Sequence, residues 1–282
     1  MISGSVAGPV LLLVLVVLVL YGFLIAPASR SRSSGGGKAL LPPGPYAHRG
    51  LHRRDGTAVE NSMAAFRAAR DGGYGMELDV NLTLDGEVVV FHDGDLQRGC
   101  GVDRKLNEMT WQEIRDLPLF GSDQTIPLFS DVLAEISGAV PLVVELKNTP
   151  RREELCRAVA AQLDRYPGAF CIESFHPGIV RWFRRHRPDV IRGQLSGGAA
   201  LFTDQTPLQR LLLSGLLTNV ATRPHFVAYR HQDSRTRWGG LLRLRLFRLL
   251  GGTLVGWTVG DTDDRSWCQR FFDAIIFEYF LP

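Results

Sequence analysis

Five polar clusters between Tyr46 and Asp93 have residue types that could work together: His48-Arg49-Gly50, Glu60-Asn61-Ser62, Glu77-Leu78-Asp79-Val80, Thr83-Leu84-Asp85-Gly86 and Phe91-His92-Asp93. His48, Glu77, Asp79 and His92 each lie in or at the end of a short apolar run with strand character. In Met76-Glu77-Leu78-Asp79-Val80 the strand period of two sends the apolar side chains to one face and both carboxylates to the other. Like charges on an inner face repel and lose hydration, and a divalent cation between them removes both penalties. Leu142-Val143-Val144-Glu145-Leu146-Lys147 repeats the pattern, adding a third carboxylate and a fixed positive charge. Side by side in one parallel sheet, these strand ends would gather three carboxylates, two imidazoles, Arg49 and Lys147 into a site for a metal and an anion.

The elements that must position them alternate between strand-like and helix-like runs, the signature of parallel βα units. Strands are expected over Tyr46–Arg49, Gly75–Asn81, Val88–His92, Leu142–Lys147, Phe170–Phe175, Ile191–Leu195, Phe226–Tyr229, Thr253–Val259 and Ala274–Phe277. That is one more than an eight-stranded barrel holds. Helices are expected over Ser62–Arg70, with Ser62 as N-cap, and over Arg152–Tyr166. Thr110-Trp111-Gln112-Glu113 has the capping-box pattern of a short helix start, inside a long segment from Gly94 to Ala139. The folded domain is expected over residues 45–282, a length that suits one (β/α)8 TIM barrel of about 250 residues.

Ahead of it, Val10 to Ala26 is apolar apart from Tyr21 and Gly22 and as a helix would extend about 25 Å, enough to span a bilayer. Residues 1–27 are therefore expected to be a transmembrane anchor, and residues 28–44, rich in Ser, Gly and Pro, a flexible linker. Ala26-Pro27-Ala28 also resembles a signal-peptide cleavage site, but residues 1–29 contain no Lys or Arg to form the charged start of such a signal. Arg30, Arg32 and Lys38 all follow the apolar run. By the positive-inside rule this puts the domain in the cytoplasm, with the chain a single-pass membrane protein.

Composition is that of an ordinary globular chain, 45% hydrophobic and 22% charged, and a net charge of +3 implies no general nucleic-acid surface. Cys100, Cys156, Cys171 and Cys268 show no Cys-x-x-Cys spacing and read as free thiols of a reducing compartment. Arg235 to Leu250, with Arg243, Arg245 and Arg248 among leucines, could be a basic amphipathic surface for anionic lipid. A barrel helix with a solvated arginine edge is the preferred reading.

His48-Arg49-Gly50, Glu60-Asn61-Ser62, Glu77-Leu78-Asp79-Val80, Val90-Phe91-His92-Asp93, Glu145-Leu146-Lys147 and Trp257-Thr258-Val259 together resemble the glycerophosphodiester phosphodiesterase family, in order and spacing, across most of residues 45–260. The resemblance implies catalytic roles for His48 and His92, at strand ends, one as general acid and the other as general base. Imidazole suits either task, with an ordinary pKa of about 6.5. It also implies a metal on Glu77, Asp79 and Glu145, and an oxygen-only set favours Mg2+ or Ca2+. The competing reading is that these carboxylates are ion-pair partners of Arg49 and Lys147, which are also the candidate phosphate ligands.

Phe175 and Trp257 match family positions near the substrate, although an aromatic at a strand end is more often core. Glu60 and Asn61 match a turn beside the metal, and Glu173 could extend the polar site. His176, followed by Pro177, is expected to start a helix. Gly260 replaces a usual Asn and Phe277-Glu278 a usual Thr-Asp; neither departure is expected to touch the catalytic set.

The function implied is metal-dependent hydrolysis of glycerophosphodiesters to glycerol 3-phosphate and an alcohol, with water or a neighbouring glycerol hydroxyl as nucleophile. The alternatives are a lysophospholipase D-type hydrolase of lipid-tailed diesters, a related phosphoinositide-cleaving barrel and a non-catalytic membrane-tethered binding protein. The expected partners are a small-molecule diester or lysophospholipid and, through the N-terminal helix, a membrane. No nucleic acid or protein partner is implied.

Overall fold

Eight of the apolar runs form parallel strands that close on themselves. The computed structural model describes residues 7–28, 44–236 and 240–282. In chain order the strands are β1 (Pro45–Ala47), β2 (Gly75–Leu82), β3 (Val88–Val90), β4 (Leu142–Leu146), β5 (Phe170–Ser174), β6 (Arg192–Ser196), β7 (Phe226–Arg230), β8 (Thr253–Val259) and β9 (Ala274–Phe277). Their order is β1-β9-β8-β7-β6-β5-β4-β2, and β1 pairs with both β2 and β9, which completes a TIM barrel. The extra strand is β3. It pairs antiparallel with β2 and lies outside the barrel.

Alternation along the strands builds two apolar layers. Met76, Leu78 and Val80 of β2 and Leu142, Val144 and Leu146 of β4 join the outer core beneath the helices. Tyr46, Val143, Cys171, Leu195, Phe226, Val255 and Ile276 fill the interior. Where Glu77, Asp79, Glu145 and Glu173 take inward positions instead, that interior turns polar.

The helices that matter here are α1 (Ala7–Ile25), α2 (Met63–Asp71), α3 (Phe129–Ile136), α4 (Arg152–Leu163), α5 (Pro177–His186), α6 (Pro207–Ser214), α7 (Asn219–Thr222), α8 (Gly240–Leu249) and α9 (Arg265–Phe271). On α2, Ser62 is the N-cap, its hydroxyl accepting from the Ala65 amide, and Ala65, Phe66 and Ala69 are buried against the barrel. His176 caps α5, its Nδ1 accepting from the Gly178 amide at 3.0 Å.

The segment after Gly94 carries a small core of its own, built on Val89, Phe91, Leu106, Ile114 and Leu119. Its single turn Trp111–Ile114 starts as expected, with the Thr110 amide donating to Glu113 Oε2 at 2.8 Å. Residues 29–43, almost all of the expected linker, lie outside the described residues. The apolar helix α1 is long and apolar enough to cross a membrane, and its last turn packs against α7 and α8.

Candidate active site

Register brings the carboxylates together. Asp79 on β2 is the Cα partner of Glu145 on β4, and Glu145 of Glu173 on β5, so three acids sit in a row across adjacent strands. Glu77 lies on the same face two residues earlier. Ligand atoms of Glu77, Asp79 and Glu145 all lie within 4.8 Å of one another, and all three residues are buried. Burial first, then the neighbouring carboxylates, pushes Glu77 and Glu173 well above the usual carboxyl range. Glu145 is pushed up to about 7, mainly by burial. Burial also acts on Asp79, but the Lys147 and Arg49 charges outweigh it and hold Asp79 well below that range.

Lys147, just past β4, bridges the row, its Nζ 2.7 Å from Glu145 Oε1 and 3.2 Å from Asp79 Oδ1. Arg49 approaches from the other side. Its backbone amide donates to Glu77 Oε2 at 3.0 Å and its Nη1 to Glu60 Oε1 at 2.8 Å. Its Nε is 3.1 Å from Asp79 Oδ2 but lacks hydrogen-bond alignment. Both cations thus touch Asp79, Lys147 also pairs with Glu145, and neither side chain comes within ion-pair distance of Glu77 or Glu173.

The turn that carries Arg49 depends on local backbone chemistry. Arg49 and Gly50 both have positive φ, and a Cβ at Gly50 would lie 2.8 Å from the Ala65 backbone, so only glycine fits. Asn61, also at positive φ, clamps Asp79: its Nδ2 donates to Asp79 Oδ2 at 2.8 Å and its Oδ1 accepts from the Asp79 amide at 3.3 Å. Glu60 accepts from Arg98 as well as Arg49.

Each imidazole is held by a carboxylate. His48 Nδ1 is 2.9 Å from Glu278 Oε2, while its Nε2 faces Glu77 Oε2 at 4.0 Å. His92 Nδ1 is 2.5 Å from Asp93 Oδ1, and Arg98 Nε donates to the other oxygen of Asp93 at 2.6 Å. Burial lowers the pKa of both histidines below the ordinary value. Glu278 stays well below the carboxyl range because bonds from His48 and His52 outweigh its burial.

Two expectations need correction. Glu278 does touch the catalytic set, because β9 ends at Phe277 and delivers the next side chain onto His48. His92 is not at a barrel strand end: β3 stops at Val90 outside the barrel, and His92 follows in the loop beyond it. His52 and Arg98 were not expected in the site, and Asp93 was expected beside His92 but without a role. Glu278 and Asp93 carried a legible signal, an acid at the close of an apolar run; Arg98 lies in the short helical turn Gln97–Cys100, with none.

Phe175 and Trp257 meet edge to face at 5.4 Å, and Phe202 packs on Phe175 at 6.4 Å. Phe175 and Phe202 border a cavity of about 530 Å³ that runs from His92 and Lys147 to Leu212 and Leu213 by α6. The buried Nε1 of Trp257 has no hydrogen-bond partner. Gly260 lies to one side, its amide donating to Asp263 Oδ2 at 2.7 Å.

Residues 48–279 match the sequence model of the Glycerophosphoryl diester phosphodiesterase family. The chain belongs to that family. A Bacillus altitudinis glycerophosphodiester phosphodiesterase is 31% identical over 160 residues, 51% of this chain and 63% of that protein. A human lysophospholipase D is 31% identical over 39% of this chain and 38% of its own length. The matched stretches span less than two thirds of these curated relatives. Among solved structures, a Thermotoga maritima glycerophosphodiester phosphodiesterase superposes with a TM-score of 0.66 at 24% identity, covering 85% of this chain and 96% of that one. An Oleispira antarctica phosphodiesterase in complex with the product sn-glycerol-3-phosphate does so with a TM-score of 0.66 at 22% identity, over 83% and 92%. These likenesses bear on the fold.

The phosphodiesterase family implies a divalent cation, and the residues present fit one. Three buried carboxylates converge, Glu173 Oε2 has no hydrogen-bond partner beside them, and the donors are all oxygen.

Proposed function

We propose that this chain hydrolyses glycerophosphodiesters to glycerol 3-phosphate and an alcohol. The observation that carries the reading is the row of buried carboxylates on adjacent strands, flanked by Lys147 and Arg49 and faced by two carboxylate-held imidazoles. Glu77, Asp79 and Glu145 would hold a Mg2+ or Ca2+ ion, which would supply Lewis acidity to the bound phosphodiester. Arg49 and Lys147 neutralise charge growing on the phosphoryl oxygens in a buried, water-poor site.

With Nδ1 held by Glu278 or Asp93, each histidine has Nε2 free for proton transfer. The histidine acting as base does so from its neutral form, which burial favours, and the one acting as acid carries its proton on Nε2, the charged form that its carboxylate partner favours. One takes the proton of the attacking hydroxyl, from water or the neighbouring glycerol carbon. The other delivers a proton to the leaving alcohol oxygen. Trp257 Nε1 and the Phe175 ring orient the organic part of the diester.

A second reading, lysophospholipase D-type turnover of lipid-tailed diesters, is favoured by the apolar cavity of Phe175, Phe202, Leu212 and Leu213 opening from His92 and by relatives bearing that name. Residues 1–27 act as a transmembrane anchor and residues 28–44 as its linker to the domain over 45–282, and the basic residues after the anchor support a cytoplasmic domain. Comparing glycerophosphocholine with lysophosphatidylcholine on the purified full chain tests both readings. Turnover of neither, by folded protein supplied with Mg2+ or Ca2+, rejects both.

A further inference from the structure

The apolar helix α1 does not stand clear of the barrel. Its last turn is docked: Ile25 is fully buried, Asn219 Nδ2 donates to the Ile25 carbonyl at 3.1 Å, and Arg223 Nη1 donates to the carbonyls of Phe23 and Ala26 at 2.8 and 3.1 Å. Tyr21 Oη donates to the Gly215 carbonyl at 3.0 Å and accepts from Arg243 Nε at 3.0 Å. The described part that stays exposed along its length, Gly8 to Leu20, is about 20 Å long at 1.5 Å per residue. The hydrocarbon core of a bilayer is about 30 Å thick. With Gly8–Leu20 in the hydrocarbon, the barrel surface around Tyr21–Ile25 reaches the headgroup layer.

The side chains displayed there suit that depth. α8 buries Leu244 and Phe247 on the barrel, but its opposite stripe carries Leu242 and Leu249, 64% and 83% exposed, and Leu250 beyond it is exposed as well. Leu250 is also the nearest side chain to Gly22 of α1. Among these leucines stand Arg245, exposed, and Arg184, Arg223 and Arg243, which donate to backbone carbonyls at helix ends rather than to carboxylates. Their charge therefore stays available to an anionic partner. Long cationic side chains around apolar ones fit the acyl–headgroup boundary, stems in the apolar layer and heads among phosphates.

We propose that the α7–α8 face around the base of α1 is a membrane-seating surface for an anionic bilayer, so that the barrel lies on the lipid instead of hanging from a free tether. This holds whichever substrate is cleaved. The arginine edge of α8 then meets headgroups, not bulk water.

The test uses the full chain in phosphatidylcholine vesicles containing 30% phosphatidylglycerol, with a benzophenone amino acid at position 249, 242 or 84 and mass spectrometry after illumination. Leu84 is an exposed leucine following β2, on the opposite side of the barrel. Lipid adducts at 249 and 242 at least tenfold above those at 84 are expected, with yields at 249 falling severalfold in pure phosphatidylcholine. Equal yields at all three positions, cross-links to a second copy in place of lipid, or an intact mass showing that α1 has been cleaved away would each overturn the proposal. An unchanged yield in pure phosphatidylcholine would overturn its anionic part.

Discussion

Glu278 makes the sharpest distinction at the level of single residues. Its carboxylate raises the His48 pKa against the burial that lowers it. Glu278→Gln should therefore move the limb of the pH–rate profile that reports His48 to lower pH. It should also cut kcat by about ten- to a hundredfold with little change in KM, the usual range for groups orienting a functional side chain. A purely structural role would leave that limb where it is. Asp93→Asn should act likewise through His92. Glu145 offers a second check, because a carboxyl with a pKa of about 7 must lose its proton to take a metal. Affinity for Mg2+ or Ca2+ should rise as pH increases from 6 to 8, and calorimetry in buffers of different ionisation enthalpy should show proton release at pH 6.5. No release would mean that Glu145 is not a ligand.

Most of the positioning strands were legible as elements, because period-two alternation in β2 and β4 separates outer apolar from inner acidic residues without reference to the rest of the chain. Which run lay outside the barrel was not, since β3 differs from its neighbours only in whom it pairs with. Contacts from Arg98 and Glu278 were hidden for a related reason: they join positions 38 and 230 residues apart, and one sequence carries no record of such closures. Asn61 was expected only in a turn beside the metal, and its grip on Asp79 emerged with the positive φ of that turn.

A prediction belongs to the β6–β7 junction. His225, just ahead of β7, accepts from the Arg192 amide at 3.2 Å, and burial pushes its pKa down to about 4. The unfolded chain binds a proton there more readily, so stability is lost as pH falls from 6.5 toward 4, by about 3 kcal/mol in total. Urea midpoints measured from pH 7 to 4 should fall less steeply for His225→Gln than for the unsubstituted chain. Equal slopes would place the acid sensitivity elsewhere.

For the whole molecule, the barrel supplies a rigid row of acids, and under the proposed function the apolar cavity beside it would select what is attached to the phosphate. Filling that cavity with Leu213→Trp should lower lysophosphatidylcholine turnover at least tenfold while leaving glycerophosphocholine turnover within about twofold. Equal losses on both substrates would show that the cavity does not hold the lipid tail.

The most direct measurement strips the full chain with chelator, restores Mg2+ or Ca2+, and follows release of glycerol 3-phosphate from glycerophosphocholine and of choline from lysophosphatidylcholine by the unsubstituted protein, His48→Ala and Glu77→Gln. Release that requires the added ion and falls at least a hundredfold in both variants is the predicted result. Release that survives chelation, or persists in His48→Ala, would contradict the proposed chemistry of this site.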